Sequence, residues 1–153
     1  MIRQPTPIAI TLADEPWRAR IADEWGELEA RHMHFADGFT LLALADGAPV
    51  GGPVGLVAVQ WRPLPPPLES AHEGFVDIIA VRDSYRRQGI TRALLDDAAG
   101  RAHEHGACQL RAWSSEDKGA ALAMWRALGW GLCPAVEHPR GQEVRGFYVA
   151  RAV

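Results

Sequence analysis

Cysteine is scarce: Cys108 and Cys133 are the two in 153 residues. Their spacing fits no metal motif, and two such thiols are expected to be reduced and buried, not parts of a disulfide framework. An excess of positive charge is also missing. Lys and Arg together number 16 against 19 Asp and Glu, leaving a formal net charge of −3, so a broad surface that grips nucleic acid is not expected. No apolar run is long enough to span a bilayer. Met1-Ile2-Arg3-Gln4-Pro5 lacks the apolar core of a signal peptide. A cytoplasmic protein with no membrane partner is therefore expected. The pairs His32-x-His34 and His103-x-His105 would point to opposite sides of a helix, so neither can clamp one metal. Both are read as surface or cap histidines, and no metal is expected.

What the chain does have is apolar substance. Hydrophobic residues make up 48% and charged residues 23%, enough for one compact domain over residues 1–153. No internal repeat and no linker divides it. Pro7 to Leu12 alternates like a strand, and Asp14-Glu15-Pro16 supplies helix-start signals. Trp17, Ile21, Trp25 and Leu28 then recur at helical spacing. Phe39 to Leu44 and Val54 to Trp61 read as strands joined through a turn at Asp46-Gly47. Prolines 63, 65, 66 and 67 make Arg62 to Gly74 a loop, either functional or a stiff connector. Phe75 to Val81 is a strand and Ile90 to Glu104 a helix with Ile90, Leu94, Leu95, Ala98 and Ala102 on its apolar face. Cys108 to Trp113 is the next strand, and Ser114-Ser115-Glu116-Asp117 is expected to cap a helix running to Leu128. Trp130 to Val136 and Arg145 to Val149 are closing strands. The predicted order β-α-β-β-β-α-β-α-β-β describes an α/β (α+β) fold, a mixed sheet of six to seven strands with helices on both faces.

One segment carries chemistry. After the strand ending Ala80-Val81 comes Tyr85-Arg86-Arg87-Gln88-Gly89-Ile90-Thr91, followed by the helix. A turn of this kind aims backbone N–H groups outward at the positive end of a helix dipole, which suits a phosphate or pyrophosphate. Gly89 lets the backbone approach the ligand, and Arg86, Arg87 and Arg92 add positive charge. The segment lacks the three glycines of a dinucleotide-binding turn and the Gly-Lys-Ser/Thr end of a phosphate loop.

Arg86-x-x-Gly89-x-Thr91 resembles the Q/R-x-x-G-x-G/A signature of the GNAT superfamily of N-acetyltransferases, with Thr91 in place of the final Gly or Ala. Asp46-Gly47-x-x-Val50-Gly51 and Ala121-x-x-x-Trp125-x-x-x-Gly129-Trp130 resemble the family's early hairpin and late helix. The resemblance implies a GNAT-type fold and a site for acetyl-coenzyme A. Arg86, Arg87, Gln88, Gly89, Ile90, Thr91 and Arg92 would hold its pyrophosphate. Backbone at Ile79, Ala80 and Val81 would lie along the pantetheine arm and polarise the thioester. The resemblance carries over Lys118, where an asparagine is common, and Trp125, where a tyrosine often protonates the leaving thiolate. Indole cannot act as a general acid, so Ser114, Ser115 or water would substitute, with core packing the alternative role for Trp125.

The implied reaction moves an acetyl group to a primary amine of a small molecule or peptide by direct attack in a ternary complex. An amine of pKa about 10.4 is neutral in only about one molecule in ~2,500 at pH 7, a cost near ~4.6 kcal/mol. A carboxylate that holds the ammonium and takes its proton lowers that cost. Asp77, on the cofactor strand, is the first candidate and Glu73 the second. A structural ion pair is the alternative role for Asp77. Acceptor contacts would come from 31–38, 62–74 and 136–144, which mix Asp37, Glu69, Glu73, Glu137 and Glu143 with Arg31, Arg62 and Arg140. A non-catalytic acyl-coenzyme A sensor of the same fold is the competing reading. The chain is expected to be a monomer or homodimer.

Overall fold

The structure is a computed structural model, and it describes residues 4, 6–45 and 52–153. The expected turn at Asp46-Gly47, with Val50 and Gly51, lies outside the described residues. Seven strands form one mixed sheet in the order β1-β2-β3-β4-β5-β7-β6. They are β1 (Ile8–Leu12), β2 (Gly38–Ala45), β3 (Gly55–Pro63), β4 (His72–Val81), β5 (Gln109–Ser115), β6 (Gly131–Glu137) and β7 (Val144–Ala152). The helices are α1 (Trp17–Glu24), α2 (Glu27–Arg31), α3 (Ile90–Glu104) and α4 (Gly119–Ala127). The chain divides into two compact units, Met1–Trp61 with Val76–Arg101, and Arg62–Phe75 with Ala102–Val153.

In the first unit β2 pairs antiparallel with β1, Ile10 opposite Ala43, and with β3, Leu41 opposite Val57. Consecutive residues Leu41, Leu42, Ala43 and Leu56 to Val59 are buried without alternation, the pattern of strands covered on both faces. Ile21, Ala30, Met33, Leu42 and Leu56 make a core flanked by Trp17, Trp25, Phe35 and Ile78. The periodicity from Trp17 to Leu28 predicts one helix, but two are present. Gly26 adopts φ 130°, a region that residues with a Cβ rarely enter, and the N–H groups of Trp25 and Gly26 both donate to the Ile21 carbonyl. The chain therefore stops, turns and restarts.

The α3 bounds agree with the apolar stripe. Ile90, Leu94, Leu95, Ala98 and Ala102 are buried, and Gly106 (φ 86°) ends the helix in the left-handed conformation. The stretch from Arg62 to Gly74 is shorter as a loop than expected. β3 continues through Pro63 and β4 begins at His72, while Leu64 N–H donates to the Ala71 carbonyl across the gap.

In the second unit β7 pairs antiparallel with β5 and β6, and Gly74 and Phe75 pair parallel with Leu110 and Arg111. The expected caps at Ser114 to Asp117 are not caps. Ser114 and Ser115 extend β5, the Ser115 hydroxyl donates to Asp117 (2.5 Å), and α4 starts at Gly119 with no side-chain cap. Both thiols are free and exposed, contrary to the expectation of burial. None of the helices is long and apolar enough to cross a membrane, among the described residues.

A Cβ built on Gly38 would overlap the Val59 carbonyl oxygen and lie 2.9 Å from Gln60 Cα. Backbone on a central strand cannot yield cheaply. Gly38→Ala is expected to cost about 2–3 kcal/mol, read as a lower urea midpoint with an unchanged m value. Wild-type stability would contradict the close approach of β2 and β3.

Candidate functional site

β4 delivers the chain into a 3-10 turn at Asp83–Tyr85 and then into α3. Arg82 fixes the root of this passage. Its N–H donates to the Val54 carbonyl (2.9 Å), its Nε donates to the Pro53 carbonyl (3.2 Å), and its guanidinium lies 4.8 Å from the centroid of a Trp25 ring. Arg82 belongs to the scaffold, in contrast to the arginines that follow. Arg86 is extended (φ −65°, ψ 157°) and pairs with Asp83 at 2.9 Å. Arg87 (φ 61°) and Gly89 (φ 80°) are both left-handed. Left-handed residues in a turn are the backbone element from which anion-binding concavities are built. Ala93 N–H donates to the Gly89 carbonyl at the start of the α3 ladder (3.0 Å).

Gly55 on β3 places this helix end. A Cβ there would sit 3.1 Å from Ile90 Cγ2, 3.2 Å from Leu94 Cδ1 and 3.4 Å from the Ala80 carbonyl oxygen. The missing side chain lets α3 rest directly on the strand. Gln88 is held on both sides, its Oε1 accepting from Thr6 N–H (3.3 Å) and its Nε2 donating to the Ser84 carbonyl (3.5 Å). A Cβ built on Gly89 would meet nothing within 4 Å, so the side of the turn that it faces is open. Arg87 and Arg92 are exposed, and Thr91 is half-buried.

Asp77 lies upstream on β4, and its neighbour is a histidine that spacing had placed on the surface. His34 Nε2 is 2.5 Å from Asp77 Oδ2, and His34 Nδ1 is 3.0 Å from Asp37 Oδ2. The side chains of His34 and Asp77 are 12% and 18% exposed, while that of Asp37 is 58% exposed. Gln60 Nε2 also donates to Asp37 Oδ2 (3.1 Å). Partial burial alone would raise the Asp37 pKa, but hydrogen bonds from Gln60 and His34 and the His34 charge outweigh it and lower the value. His32 does fit the cap reading, since its Nδ1 meets the Leu28 carbonyl at 2.6 Å.

Glu73, the second acid, lies in the other unit and is 0% exposed. Arg111 donates to it from Nε (2.9 Å) and Nη2 (2.5 Å), and Gln109 Nε2 donates to Oε2 (2.7 Å). The Arg111 guanidinium also faces the rings of Tyr148 (4.4 Å) and Phe75 (5.3 Å). Partial burial disfavours its charge, but Glu73 reverses that and raises its pKa. Tyr148, whose hydroxyl donates to Glu137, has its pKa raised by burial and by that acid. Lys118 is exposed at the start of α4. Trp125 is 3% exposed and packs on Trp130, with ring centroids 4.6 Å apart. The buried Ser114 hydroxyl has no hydrogen-bond partner among the described residues. No group of three or more His, Cys, Asp or Glu among the described residues could hold a metal ion.

A mixed sheet whose fourth strand runs into a basic, glycine-containing turn and a helix end defines an α/β protein. The chain belongs to the acetyltransferase (GNAT) family, whose model matches residues 7–130, and that membership makes it an acyltransferase by class. Solved structures share the fold at low identity. One is Arabidopsis thaliana NAA60 in complex with acetyl-CoA, with 11% identity, 96% of this chain and 100% of that chain covered, and a TM-score of 0.74. Another is the NatC complex bound to Gag peptide and CoA, with 16% identity, 95% and 98% covered, and a TM-score of 0.69. A GNAT-family acetyltransferase from Streptococcus pneumoniae has 15% identity, 96% and 100% covered, and a TM-score of 0.68. No curated protein matches the chain by sequence.

Removing one partner of a buried ion pair strands the other charge. Glu73→Gln is therefore expected to cost about 3 kcal/mol in urea unfolding, while Glu73→Leu combined with Arg111→Met costs less. Equal losses in the single and double variants would contradict the ion pair's structural role.

Proposed function

We propose that the protein is an acetyl-CoA-dependent N-acetyltransferase that acts on a primary amine of a small molecule or peptide, by direct attack in a ternary complex. The observation that carries this reading is the continuity of β4. The strand presents Asp77, then the Ile79–Val81 backbone, then the left-handed turn at Arg87 and Gly89. Asp77 and Val81 are on the order of 13 Å apart along extended chain, a span along which a pantetheine arm can lie. Such an arrangement suits a cofactor with pyrophosphate at one end and a reactive group at the other.

The residues fit that cofactor. The amides of Gln88, Gly89, Ile90 and Thr91 and the guanidinium groups of Arg86, Arg87 and Arg92 would hold the pyrophosphate, and the open side of Gly89 gives it room. Ile79, Ala80 and Val81 would contribute backbone, with one N–H polarising the acyl carbonyl. When bound, acetyl-CoA supplies an activated acetyl thioester. Asp77 holds the acceptor's ammonium and takes one proton from it, either directly or through water. We assign Glu73 to structural support, since its oxygens are engaged by Arg111 and Gln109. Trp125 is assigned to packing on Trp130. A cytoplasmic location and a monomeric or homodimeric state complete the proposal.

Calorimetric titration with acetyl-CoA, followed by an amine panel monitored for released thiol, tests the reading. Saturable binding with turnover supports it, binding without turnover supports the sensor alternative, and no binding at millimolar cofactor overturns both. Arg87 offers a sharper test because it combines a charge with a left-handed backbone. Arg87→Ala and Arg87→Gly should both weaken acetyl-CoA binding by about 1.5–3 kcal/mol. The Gly variant should be the more stable of the two by about 1 kcal/mol, because Gly enters this region without Cβ strain. Unchanged affinity in both variants would remove Arg87 from the cofactor site.

A further inference from the structure

We infer that His72 and His105 form a two-histidine clamp for a late first-row divalent cation, Cu(II) or Ni(II), where the start of β4 meets the turn after α3. The inference is independent of the function proposed above.

In the sequence His105 stands beside His103, two residues away on a helical path and unable to share an ion with it. Its neighbour in the structure is His72, 33 residues earlier. His72 Nε2 and His105 Nδ1 are 2.8 Å apart, and the rings meet edge to face with centroids 4.9 Å apart. Both belong to the unit made of Arg62–Phe75 and Ala102–Val153. Imidazole is the commonest protein ligand for such ions. With metal–nitrogen bonds near ~2.0 Å, neighbouring ligands stand about 2.9 Å apart around a square-planar or octahedral ion and about 3.3 Å around a tetrahedral one. The observed spacing fits the right angle, which copper and nickel favour and tetrahedral zinc does not.

Backbone contacts hold both residues in place. The His72 carbonyl accepts from Cys108 N–H (3.0 Å). On either side of His105, Gly106 N–H donates to the His103 carbonyl (3.0 Å) and Ala107 N–H to the Ala102 carbonyl (2.9 Å), with Ala102 and Ala107 buried. Gly106 is left-handed (φ 86°), and a Cβ built on it would stand 3.9 Å from His72 Cε1. The turn therefore brings the His105 backbone up to the His72 ring. An ion takes the place of the contact between the rings, each ring presenting a lone pair to it. His105 is exposed, so its ring has room to turn both lone pairs toward one point.

The protein supplies two ligands and water the rest, since no third His, Cys, Asp or Glu among the described residues completes the set. Such an ion exchanges readily, unlike one in a closed four-ligand site. The two ligands converge only in the folded chain, so the bound ion adds to stability by mass action.

Calorimetric titration of the untagged, full-length protein with Ni(II) tests this, nickel being chosen because it does not oxidise the two exposed thiols. One ion per chain is expected, with no binding of Mg(II). His72→Ala and His105→Ala should each weaken Ni(II) binding roughly tenfold or more, because the chelate is lost, and His103→Ala should leave it unchanged. The thermal midpoint should rise with Ni(II) in wild type and in His103→Ala, and not in the other two variants. His105 lies on an exposed turn, so its alanine variant reports on binding without loss of the fold. No saturable binding at millimolar Ni(II), or unchanged affinity in His72→Ala or in His105→Ala, would overturn the inference. Tighter binding of Zn(II) than of Ni(II) would overturn the assignment of the ion.

Discussion

The resting of α3 on the bare backbone of Gly55 is the constraint on which the site depends. Ile90 and Leu94 reach within contact distance of where a side chain would stand, and the Ala80 carbonyl closes the same space. Because Ile90 and Leu94 are buried, the helix start cannot lift or slide without opening the core. The turn between Val81 and Ile90 must then join two fixed points. Left-handed backbone at Arg87 and Gly89 accomplishes this. Packing in the core thus fixes the turn in place before any ligand arrives, and a preorganised turn is what the proposed cofactor site requires.

A second arrangement surrounds the proposed proton acceptor. Asp77 is carried on a strand whose preceding residues Phe75 and Val76 are buried, and His34 and Asp37 come from the turn that precedes β2. The Thr40 hydroxyl bonds to both backbone groups of His34, so the ring is held through its own backbone and not only by its partners. An acid placed this way has a defined direction, and a defined direction is what a proton acceptor needs to contribute to rate.

Much of the architecture was legible because local signals agreed. The α3 stripe, the alternation of the strands and the glycines at 89, 106 and 129 all pointed to the same elements, and those glycines do have positive φ. The disagreements have physical causes. Gly26 broke a helix that side-chain periodicity made continuous, because the stripe carries no information on φ. Glu73 read as the end of a loop because a charge inside a strand is unusual. Its partners Gln109 and Arg111 lie 36 and 38 residues away and cannot be paired by inspection of the sequence. His34 was missed for the same reason. Its contact with Asp77 spans 43 residues, whereas the reading of His32-x-His34 weighed only the neighbouring histidine. Asp77 itself was legible as a candidate since its strand leads directly to the basic turn.

The most direct test of the central claim compares wild type with Asp77→Asn for acetyl-CoA-dependent turnover of a reactive amine, with acetyl-CoA affinity measured on the same samples. The account predicts a fall in kcat of about 10²–10⁴-fold with cofactor affinity unchanged, since the amide keeps the shape of the acid but cannot accept the proton. Wild-type turnover in Asp77→Asn would contradict it and move the proton acceptor elsewhere.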